Sequence, residues 1–293
     1  RLNSPPRTLR RRRCPVRADE DAACPLSAES VVPGAGGVSK RLLCLATSAS
    51  VEPRPGECAA GSGQAAHVRT WQTYGPERLQ AELREDGFPA GIGRIKRLRK
   101  KLGLRCTPVQ RFTITTDSTH ALPVADNVLA QTFATRRPNE EWVTDITYVP
   151  TVEGWLYLAG VKDLYTCEVV GHVMDARMTT DLVQRALRTA IDSKRPARGL
   201  IHHSDRGSQY CAQVYQATLR QFGMIPSMSR RGNCYDNAPM ESFWGTLKNE
   251  LVHHRCYETR EQARREMAEY IELFYNRQRR HSRLGNRSPA ALA

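Results

Sequence analysis

Downstream of residue 140, short apolar runs alternate with amphipathic segments, and this order constrains the fold more than any other feature. The run "EWVTDITYVPT" (141–151) predicts one strand, and "GWLYLAGVKDLYTCEVVGHVM" (154–174) predicts two more with a turn around Thr166. "TTDLVQRALRTAIDSK" (179–194) then predicts a helix capped by Thr180 or Asp181. Two short strands, "GLIHHSD" and "IPSMS", enclose a further helix. Three leading strands followed by alternating helices and strands predict an α/β fold.

Basic residues are in large excess. The chain has 293 residues, with 44 Lys and Arg against 30 Asp and Glu, so its formal charge is +14. Such an excess favours a polyanionic partner, most often nucleic acid. The alternative interpretation is a basic surface that is simply solvated. The length argues for more than one folding unit, although one large core is compatible with it.

Apolar runs and cysteines bear on the compartment. No apolar run reaches the roughly 18 residues that span a bilayer, and the first residues lack the apolar segment of a secretory signal. The nine cysteines are irregularly spaced and form no CxxC pair, which favours reduced thiols. "HHRC" (253–256) lacks a second ligand pair at zinc spacing. We therefore predict a cytoplasmic protein without membrane contact.

The segment "TYGPERLQAELREDGFPAGIGRIKRLRKKLGLRC" (73–106) predicts two short helices joined by a turn. Pro76 suits a first helical position, and Leu79 and Leu83 then share one face. After the break at "DGFPAG", a second apolar face is formed by Ile92, Ile95, Leu98 and Leu102, and the remaining surface carries Lys96, Arg97, Arg99, Lys100 and Lys101. The pattern resembles a helix-turn-helix with a basic second helix. The alternative is an αα-hairpin with a solvated basic face.

Three acidic residues occupy informative places. Asp145 lies within the first strand, Asp205 follows an apolar run, and Glu241 lies near the start of the helix "YDNAPMESFWGTLKNEL" (235–251). A carboxylate in a half-buried strand is unfavourable unless it is paired or bound to metal. Together the three would suit Mg²⁺ or Mn²⁺. Singly, Asp145 is more typical of a strand-edge or ion-paired residue, and Asp205 of a turn cap.

Several motifs together resemble one family. "EWVTDITYVPT", "HHSDRGSQY" and "DNAPMESFWGTLKNEL" closely resemble the catalytic core of insertion-sequence transposases of the IS3 family, the OrfB-type enzymes, and the resemblance covers about residues 73–293. Asp205 and Glu241 are separated by 35 residues, the interval of that family's acidic signature, and Lys248 follows seven positions later. The closing "YIELFYNRQRRHSRLGNRSPAALA" is also similar, except that Asn286 stands where the family commonly has an aromatic residue.

This resemblance implies a fold, an activity and partners. The fold would be the RNase H-like mixed sheet of retroviral integrase, flanked by helices and preceded by a small helix-turn-helix region. Asp145, Asp205 and Glu241 would be the catalytic metal ligands for Mg²⁺, with Mn²⁺ substituting. They would activate water and then a DNA 3′-hydroxyl. The partners would be double-stranded DNA of the element's terminal repeats and of the target, bound by a homo-multimer associated with the bacterial nucleoid.

Basic residues supply the predicted DNA contacts. Glu241 and Lys248 are nearly two helical turns apart, so both project from one face, and Lys248 would meet a phosphate beside the metals. In the alternative interpretation they merely share an exposed face. The C-terminal arginines suit bidentate phosphate contacts, against the alternative of a solvated basic surface. The further predicted contacts are Arg206, Lys96, Arg97, Lys100, Arg277 and Arg280.

Residues near the acids receive supporting roles. Asn237 is expected to cap the helix that carries Glu241, and Asp236 and Asn233 to order the loop before it. For Asp163 a structural role is favoured over catalysis, and for Trp244 packing is favoured over base stacking. Loop shaping and DNA contact are expected of His203, Ser204, Gly207 and Gln209, and core packing of Met267, Tyr270, Ile271 and Phe274.

The predicted organisation has five parts. Residues 1–67 are rich in Ala, Gly, Pro, Ser, Arg and Cys, lack periodicity and do not begin with Met, so we predict a disordered segment, translated out of frame. Translation of the source DNA in the other forward frames tests this. The remaining parts are a helix-turn-helix region (68–106), a linker (107–138), an RNase H-like catalytic core (139–252) and a basic helical extension (253–293).

Two rival functions fit the same residues. A nuclease of this fold would cut DNA without strand transfer, and three carboxylates alone do not distinguish it from a transposase. A non-catalytic DNA-binding remnant would retain the fold without activity. Terminal-repeat sequence and target preference are not encoded in any pattern of the chain.

Overall fold

The computed structural model describes residues 55–106 and 122–293. Side chains are described from residue 61 onward, with the exception of Cys234. Pro55–Ala293 form one compact unit. The predicted out-of-frame segment as far as residue 54, and residues 107–121 of the predicted linker, lie outside the described residues.

The helical N-terminal part consists of α1 (Pro55–Arg69), α2 (Pro76–Glu85) and α3 (Ile92–Lys101). Their shared core is built from Ala66, Tyr74, Leu79, Leu83 and Ile95. The two predicted helices are therefore present, and the predicted basic residues Lys96, Arg97 and Lys100 are exposed on α3. Of the predicted apolar residues, Leu79, Leu83 and Ile95 are buried, and Ile92, Leu98 and Leu102 are half-buried.

The prediction that no element exists before residue 68 was wrong for α1. This helix packs through small residues: a Cβ on Gly63 would lie only 3.0 Å from Leu98 Cδ2, and Ala66 is fully buried. Because close backbone approach replaces a stripe of large apolar side chains, the sequence carries no helical periodicity there.

A five-stranded sheet forms the centre of the molecule. Its strands are β1 (Glu141–Thr151), β2 (Gly154–Asp163), β3 (Val169–Asp175), β4 (Ile201–Ser204) and β5 (Ile225–Met228), in the order β3-β2-β1-β4-β5. The first three strands form an antiparallel meander, and β4 and β5 continue the sheet in parallel with β1. This is the predicted mixed sheet, and the strand order is that of an RNase H-like fold.

Helices cover both faces of the sheet. On one face lie α4 (Thr180–Lys194), α5 (Ser208–Cys211) and α6 (Gln213–Gln221); on the other lie α7 (Ala238–Glu250) and α8 (Arg260–Glu269). The cap of α4 is Thr179, whose hydroxyl accepts from Leu182 N, one residue before the predicted Thr180. Gly171 of β3 allows α4 to pack closely on the sheet, because a Cβ at this position would lie only 2.5 Å from Ala186 O.

The C-terminal segment continues α8 as a π-helical turn, Tyr270–Tyr275. The predicted stripe (Met267, Tyr270, Ile271 and Phe274) is buried as expected. The wider turn brings Tyr275 inward as well, where its ring packs edge-on to Phe243 of α7. Short 3-10 turns at Ser282–Leu284 and Pro289–Ala291 complete the chain.

Hydrogen bonds to one buried carboxylate join the helical N-terminal part to the sheet domain. Glu250, at the end of α7, accepts hydrogen bonds from Thr73 Oγ1, Tyr270 Oη and Arg279.

In the described ranges, no helix is long and apolar enough to cross a membrane. The four described cysteines, Cys106, Cys167, Cys211 and Cys256, are not in disulfide bonds.

Candidate active site

Asp145, within β1, and Asp205, immediately after β4, lie next to each other on two adjacent parallel strands. The register of β1 and β4 pairs Val143 with His203, and two residues further along each chain are Asp145 and Asp205. Residues at equivalent register positions of two paired parallel strands are neighbours across the pair. The sheet thus brings the two predicted carboxylates side by side.

Helix α7 crosses this sheet face because β2 carries a glycine. Gly160 pairs with Asp145 across the β1–β2 ladder. A Cβ on Gly160 would lie 2.9 Å from Trp244 Cη2 and 3.4 Å from Met240 Cε. The missing side chain therefore lets the indole lie flat against the sheet, next to Asp145.

The indole of Trp244 hydrogen-bonds to Asp145. Its Nε1 donates to Asp145 Oδ2 at 3.0 Å, and Ile146 N donates to Oδ1 at 2.8 Å. Trp244 is fully buried, so the favoured packing role is confirmed and base stacking is excluded in this conformation. Each carboxylate oxygen accepts more than one hydrogen bond or ligand, so both oxygens keep free acceptor capacity.

The charges of the other two acids reach Asp145. Burial, then the negative charge of Asp205 and then that of Glu241, raise the pKa of Asp145 to about 8 against the two hydrogen bonds. Burial also raises the pKa of Glu241. Asp145, Asp205 and Glu241 therefore form one electrostatic cluster, with contributions from β1, the loop after β4, and α7.

Lys248 lies two turns beyond Glu241 on α7 and joins the same cluster. Its Nζ lies 5.4 Å from the centre of the Tyr148 ring, a cation–π contact that holds the chain against β1. Burial lowers the pKa of Lys248, and the charge of Asp145 opposes this effect. The predicted acid and base thus project to one site.

The loop after β4 is held by Asp205 itself. Gly207 N donates to Asp205 Oδ1 at 2.9 Å, and a Cβ on Gly207 would lie 3.0 Å from that oxygen. Arg206 Nε donates to Ser229 O at 2.6 Å. His203 is fully buried between the hydroxyls of Ser227 and Ser229, at 2.9 and 3.1 Å. His203 therefore supports the loop from the interior and is not accessible from solvent.

The loop before α7 is ordered by a buried carboxylate. Asp236 accepts from the backbone N and guanidinium of Arg230, and from the amides of Asn127 and Gln131. The Arg230 guanidinium holds the pKa of Asp236 well below its usual range. Asn233 accepts from Tyr235 N. Both residues order the loop as predicted.

Asn237 occupies the N-cap position of α7, but its side chain does not cap the helix. Its Nδ2 instead donates to Thr144 O of β1 at 3.0 Å. The capping prediction was wrong because the amide is used to attach the helix to the strand that carries Asp145. Asp163 also has a structural role, since it accepts from Asn139 N and from the backbone and hydroxyl of Thr166.

The acidic cluster suits a hard divalent cation by its chemistry. All three side chains offer carboxylate oxygens, which are the ligands that Mg²⁺ and Mn²⁺ prefer. The set includes no thiolate or imidazole, the ligands typical of zinc. Within residues 55–106 and 122–293, no three His, Cys, Asp or Glu side chains lie at the spacing of a shared metal.

The predicted DNA contacts fall into two groups. Arg277 is exposed, whereas Arg280 is buried and has a different role from the predicted one. Its guanidinium forms ion pairs with Glu82 at 2.7 Å and Glu85 at 2.5 Å, both from α2. Arg280 therefore joins the C-terminal segment to the helical part and does not face solvent.

Sequence reasoning missed the residues that support the acids. Trp244 was assigned to packing without its hydrogen bond, and Gly160 received no role. The available signal was the glycine within an otherwise apolar strand pattern, which marks a close approach by another element.

Comparisons with known families agree with this architecture. Residues 135–234 and 223–289 match two family models that are both described as an integrase core domain. Residues 64–112 match an HTH-like domain, which begins within α1 and includes α2 and α3.

Two proteins illustrate the similarity to curated sequences. The 31 kDa protein of insertion element IS600 from Shigella sonnei is 61% identical over 227 residues, covering 78% of this chain and 84% of that protein. Transposase InsF for insertion sequence IS3A from Escherichia coli (strain K12) is 44% identical over 225 residues, covering 77% of this chain and 78% of that protein.

Solved structures are similar at lower identity. The HTLV-2 integrase catalytic core domain in complex with magnesium is 15% identical, covers 54% of this chain and 99% of that chain, and has a TM-score of 0.44. A chain of the simian T-cell lymphotropic virus intasome in complex with PP2A regulatory subunit B56 gamma is 17% identical, covers 79% of this chain and 73% of that chain, and has a TM-score of 0.45.

Proposed function

Because the chain belongs to the IS3 family of insertion-sequence transposases, we propose that it cuts the ends of its element and joins them to target DNA with a divalent metal. Asp145, Asp205 and Glu241 are the proposed catalytic residues and metal ligands. The proposed cofactor is Mg²⁺, which Mn²⁺ replaces.

One observation carries the proposal more than any other. Burial, then the negative charge of Asp205 and then that of Glu241, raise the pKa of Asp145 to about 8, and these three carboxylates come from β1, the loop after β4, and α7. A cluster of acids that repel one another is unfavourable for folding by itself. Titratable groups perturbed in this way are typical of functional sites.

The proposed chemistry is two in-line displacements at phosphorus. In the first, a water oxygen bonds to phosphorus and the P–O3′ bond breaks, which leaves a 3′-hydroxyl on the element and a 5′-phosphate on the flanking DNA. In the second, that 3′-oxygen bonds to a target phosphorus and displaces a target 3′-oxygen; in each step the nucleophile's proton passes to the displaced oxygen. When bound, Mg²⁺ would activate the attacking oxygen and neutralise developing charge.

The chain's own residues would prepare this site. Trp244 fixes the orientation of Asp145 through Oδ2, and Gly207 N fixes Asp205 through Oδ1. Lys248, held over Tyr148, would bind the phosphate that is being attacked. Arg206 would contact the neighbouring backbone.

We assign binding of the element's double-stranded terminal repeats to the helical N-terminal part. Lys96, Arg97 and Lys100 lie exposed on α3, the second helix of the helix-turn-helix pair. Arg277 is the exposed C-terminal candidate for the DNA backbone. From the family we also propose a homo-multimer that holds two DNA ends together.

A joining assay tests the proposed function. The purified chain is incubated with DNA that carries the element's own ends and a supercoiled target plasmid, with Mg²⁺, with Mn²⁺ or with a chelator. We expect cut ends and joined products with either metal and neither product with the chelator. Cut ends without joined products would instead identify a nuclease of the same fold. DNA binding with neither reaction would identify a non-catalytic remnant.

A further inference from the structure

A basic cavity of about 330 Å³ borders α7 at residues other than Glu241 and Lys248. Its cationic side chains come from α2 (Arg78), β2 (Lys162) and the C-terminal segment (Arg279 and Arg283). Apolar walls are supplied by Phe133, Phe243 and Tyr275. In the described chain no Asp or Glu lines the cavity, and Asp145, Asp205 and Glu241 are not part of it.

Most of this positive charge has no carboxylate partner. Arg279 pairs with Glu250 at 2.8 Å. Arg78, Lys162 and Arg283 form no ion pair with any residue in the described ranges. Arg78 instead lies over the Tyr74 ring, Lys162 Nζ donates to Pro239 O at 3.1 Å, and Arg283 donates to Phe133 O. These contacts use only part of the donor capacity of the three side chains.

A histidine adds an unused donor to the same cavity. His281 Nε2 is buried and has no hydrogen-bond partner among the described residues. Burial, followed by the charges of Arg279, Lys162 and Arg78, lowers the pKa of His281. A neutral imidazole with Nε2 protonated would donate to an anion in the cavity.

Lys162 is buried and Arg78 is half-buried, whereas Arg283 is exposed. Like charges gathered around a partly buried cavity are unfavourable unless an anion compensates them. We propose that this cavity binds a phosphate group, with Arg78, Lys162 and Arg283 as its charged ligands. Guanidinium forks from two directions fit the tetrahedral oxygens of phosphate. The volume exceeds that of a phosphate ion and lies in the range of ligand pockets, so an attached sugar also fits between the aromatic walls.

The site goes beyond the proposed function, because it lies outside the catalytic carboxylates and its occupancy is measurable without any DNA joining. The site lies between two parts of the same chain. Arg78 belongs to the helix-turn-helix pair, whereas Ser242 and Thr246 belong to the helix that carries Glu241. A bound phosphate therefore ties these two parts together.

The test measures binding of inorganic phosphate to the full chain by calorimetry, at constant ionic strength set with chloride. We expect saturable binding that weakens by about tenfold or more in Arg283→Gln and in Arg78→Gln, equivalent to about 1.4 kcal/mol. Arg84→Gln is the matched control, because Arg84 is exposed on α2 and does not line the cavity. Equal phosphate affinity in wild type and both cavity variants would overturn the proposal.

Crystals soaked in tungstate, a heavy isostere of phosphate, provide a readout that does not depend on variants. Anomalous density within reach of Lys162 and Arg283 is expected, and tungstate elsewhere with an empty cavity would contradict the site. The source of the phosphate is then distinguished by competition. If the natural ligand is DNA, a short oligonucleotide displaces inorganic phosphate in wild type; if the ligand is free phosphate, both bind together.

Discussion

Trp244 Nε1 lies 3.0 Å from Asp145 Oδ2, so a helix packing residue and a strand carboxylate form one unit across the sheet face. Gly160, opposite Asp145 on β2, leaves the space in which the indole lies. The support for the site is therefore built into the packing of α7 on the sheet.

Trp244→Phe removes the hydrogen bond and retains most of the ring. A hydrogen bond to a charged group contributes about 1.5–3 kcal/mol, so we expect DNA joining to slow by about 10-fold or more. Trp142→Phe is the matched control, because Trp142 is buried and donates to Asn139 Oδ1 away from the acids. Equal joining rates for the two variants, measured on folded protein, would contradict a positioning role for Trp244.

Gly160→Ala places a methyl group against the Trp244 ring. Overpacking of this kind lowers the free energy of unfolding by about 1–3 kcal/mol, and displacement of the indole should also lower joining activity. Gly245→Ala on α7 has open space around its Cβ and should stabilise the helix by about 0.5–1 kcal/mol. Urea unfolding of the two variants checks both signs, and an unchanged stability of Gly160→Ala would refute the close contact.

Arg280→Met removes the ion pairs with Glu82 and Glu85. We expect a loss of about 1–3 kcal/mol of unfolding free energy, since charge-assisted bonds of a nearly buried guanidinium are lost. Proteolysis between α1 and α2 should also become faster. Arg277→Met, at an exposed position, should stay within about 0.5 kcal/mol. If Arg277→Met were the more destabilising of the two, the structural role of Arg280 would be wrong.

His202 makes folding stability depend on pH. Burial, and then the charge of His203, lower the pKa of His202 to about 3 in the folded chain, below the ordinary value of 6.5. As pH falls, the unfolded chain protonates His202 before the folded chain does. The contribution of neutral His202 to folding stability is therefore fully present above about pH 6.5. It is lost as pH falls toward about 3, with a limiting slope near 1.4 kcal/mol per pH unit.

Unfolding by urea at pH 7.5, 6.5 and 5.5 measures that slope. His202→Gln should reduce it, because an amide still bonds to the Tyr215 hydroxyl, which lies 2.7 Å from His202 Nε2, but does not titrate. His254→Gln, at an exposed position, is the control. An identical slope in wild type and His202→Gln would show that this histidine does not carry the effect.

Much of the fold follows from the sequence because its elements are periodic. The alternation in β1 and the amphipathic pattern of α4 are local signals, and the register then places Asp145 beside Asp205. The supporting contacts are not local. Trp244 and Asp145 are 99 residues apart in the chain, and no pattern in either segment encodes their distance.

Arg280 shows the same limit in a different way. The sequence pattern of a dense basic run is the same whether its residues bind phosphate or carboxylates. The carboxylate partner of Arg280, Glu82, lies 198 residues away in the chain. Helix α1 was missed because small residues that allow close approach leave no apolar stripe. In each instance the missing information is tertiary, which overrides local pattern.

The central claim is that Asp145, Asp205 and Glu241 act as one catalytic site. The most direct measurement is the rate of Mg²⁺-dependent joining by Asp145→Asn, Asp205→Asn and Glu241→Gln, with Glu269→Gln, an exposed acid on α8, as the control. We expect each of the three to abolish joining while DNA binding persists, and the control to match wild type. Joined products from any of the three at the wild-type rate would contradict the claim.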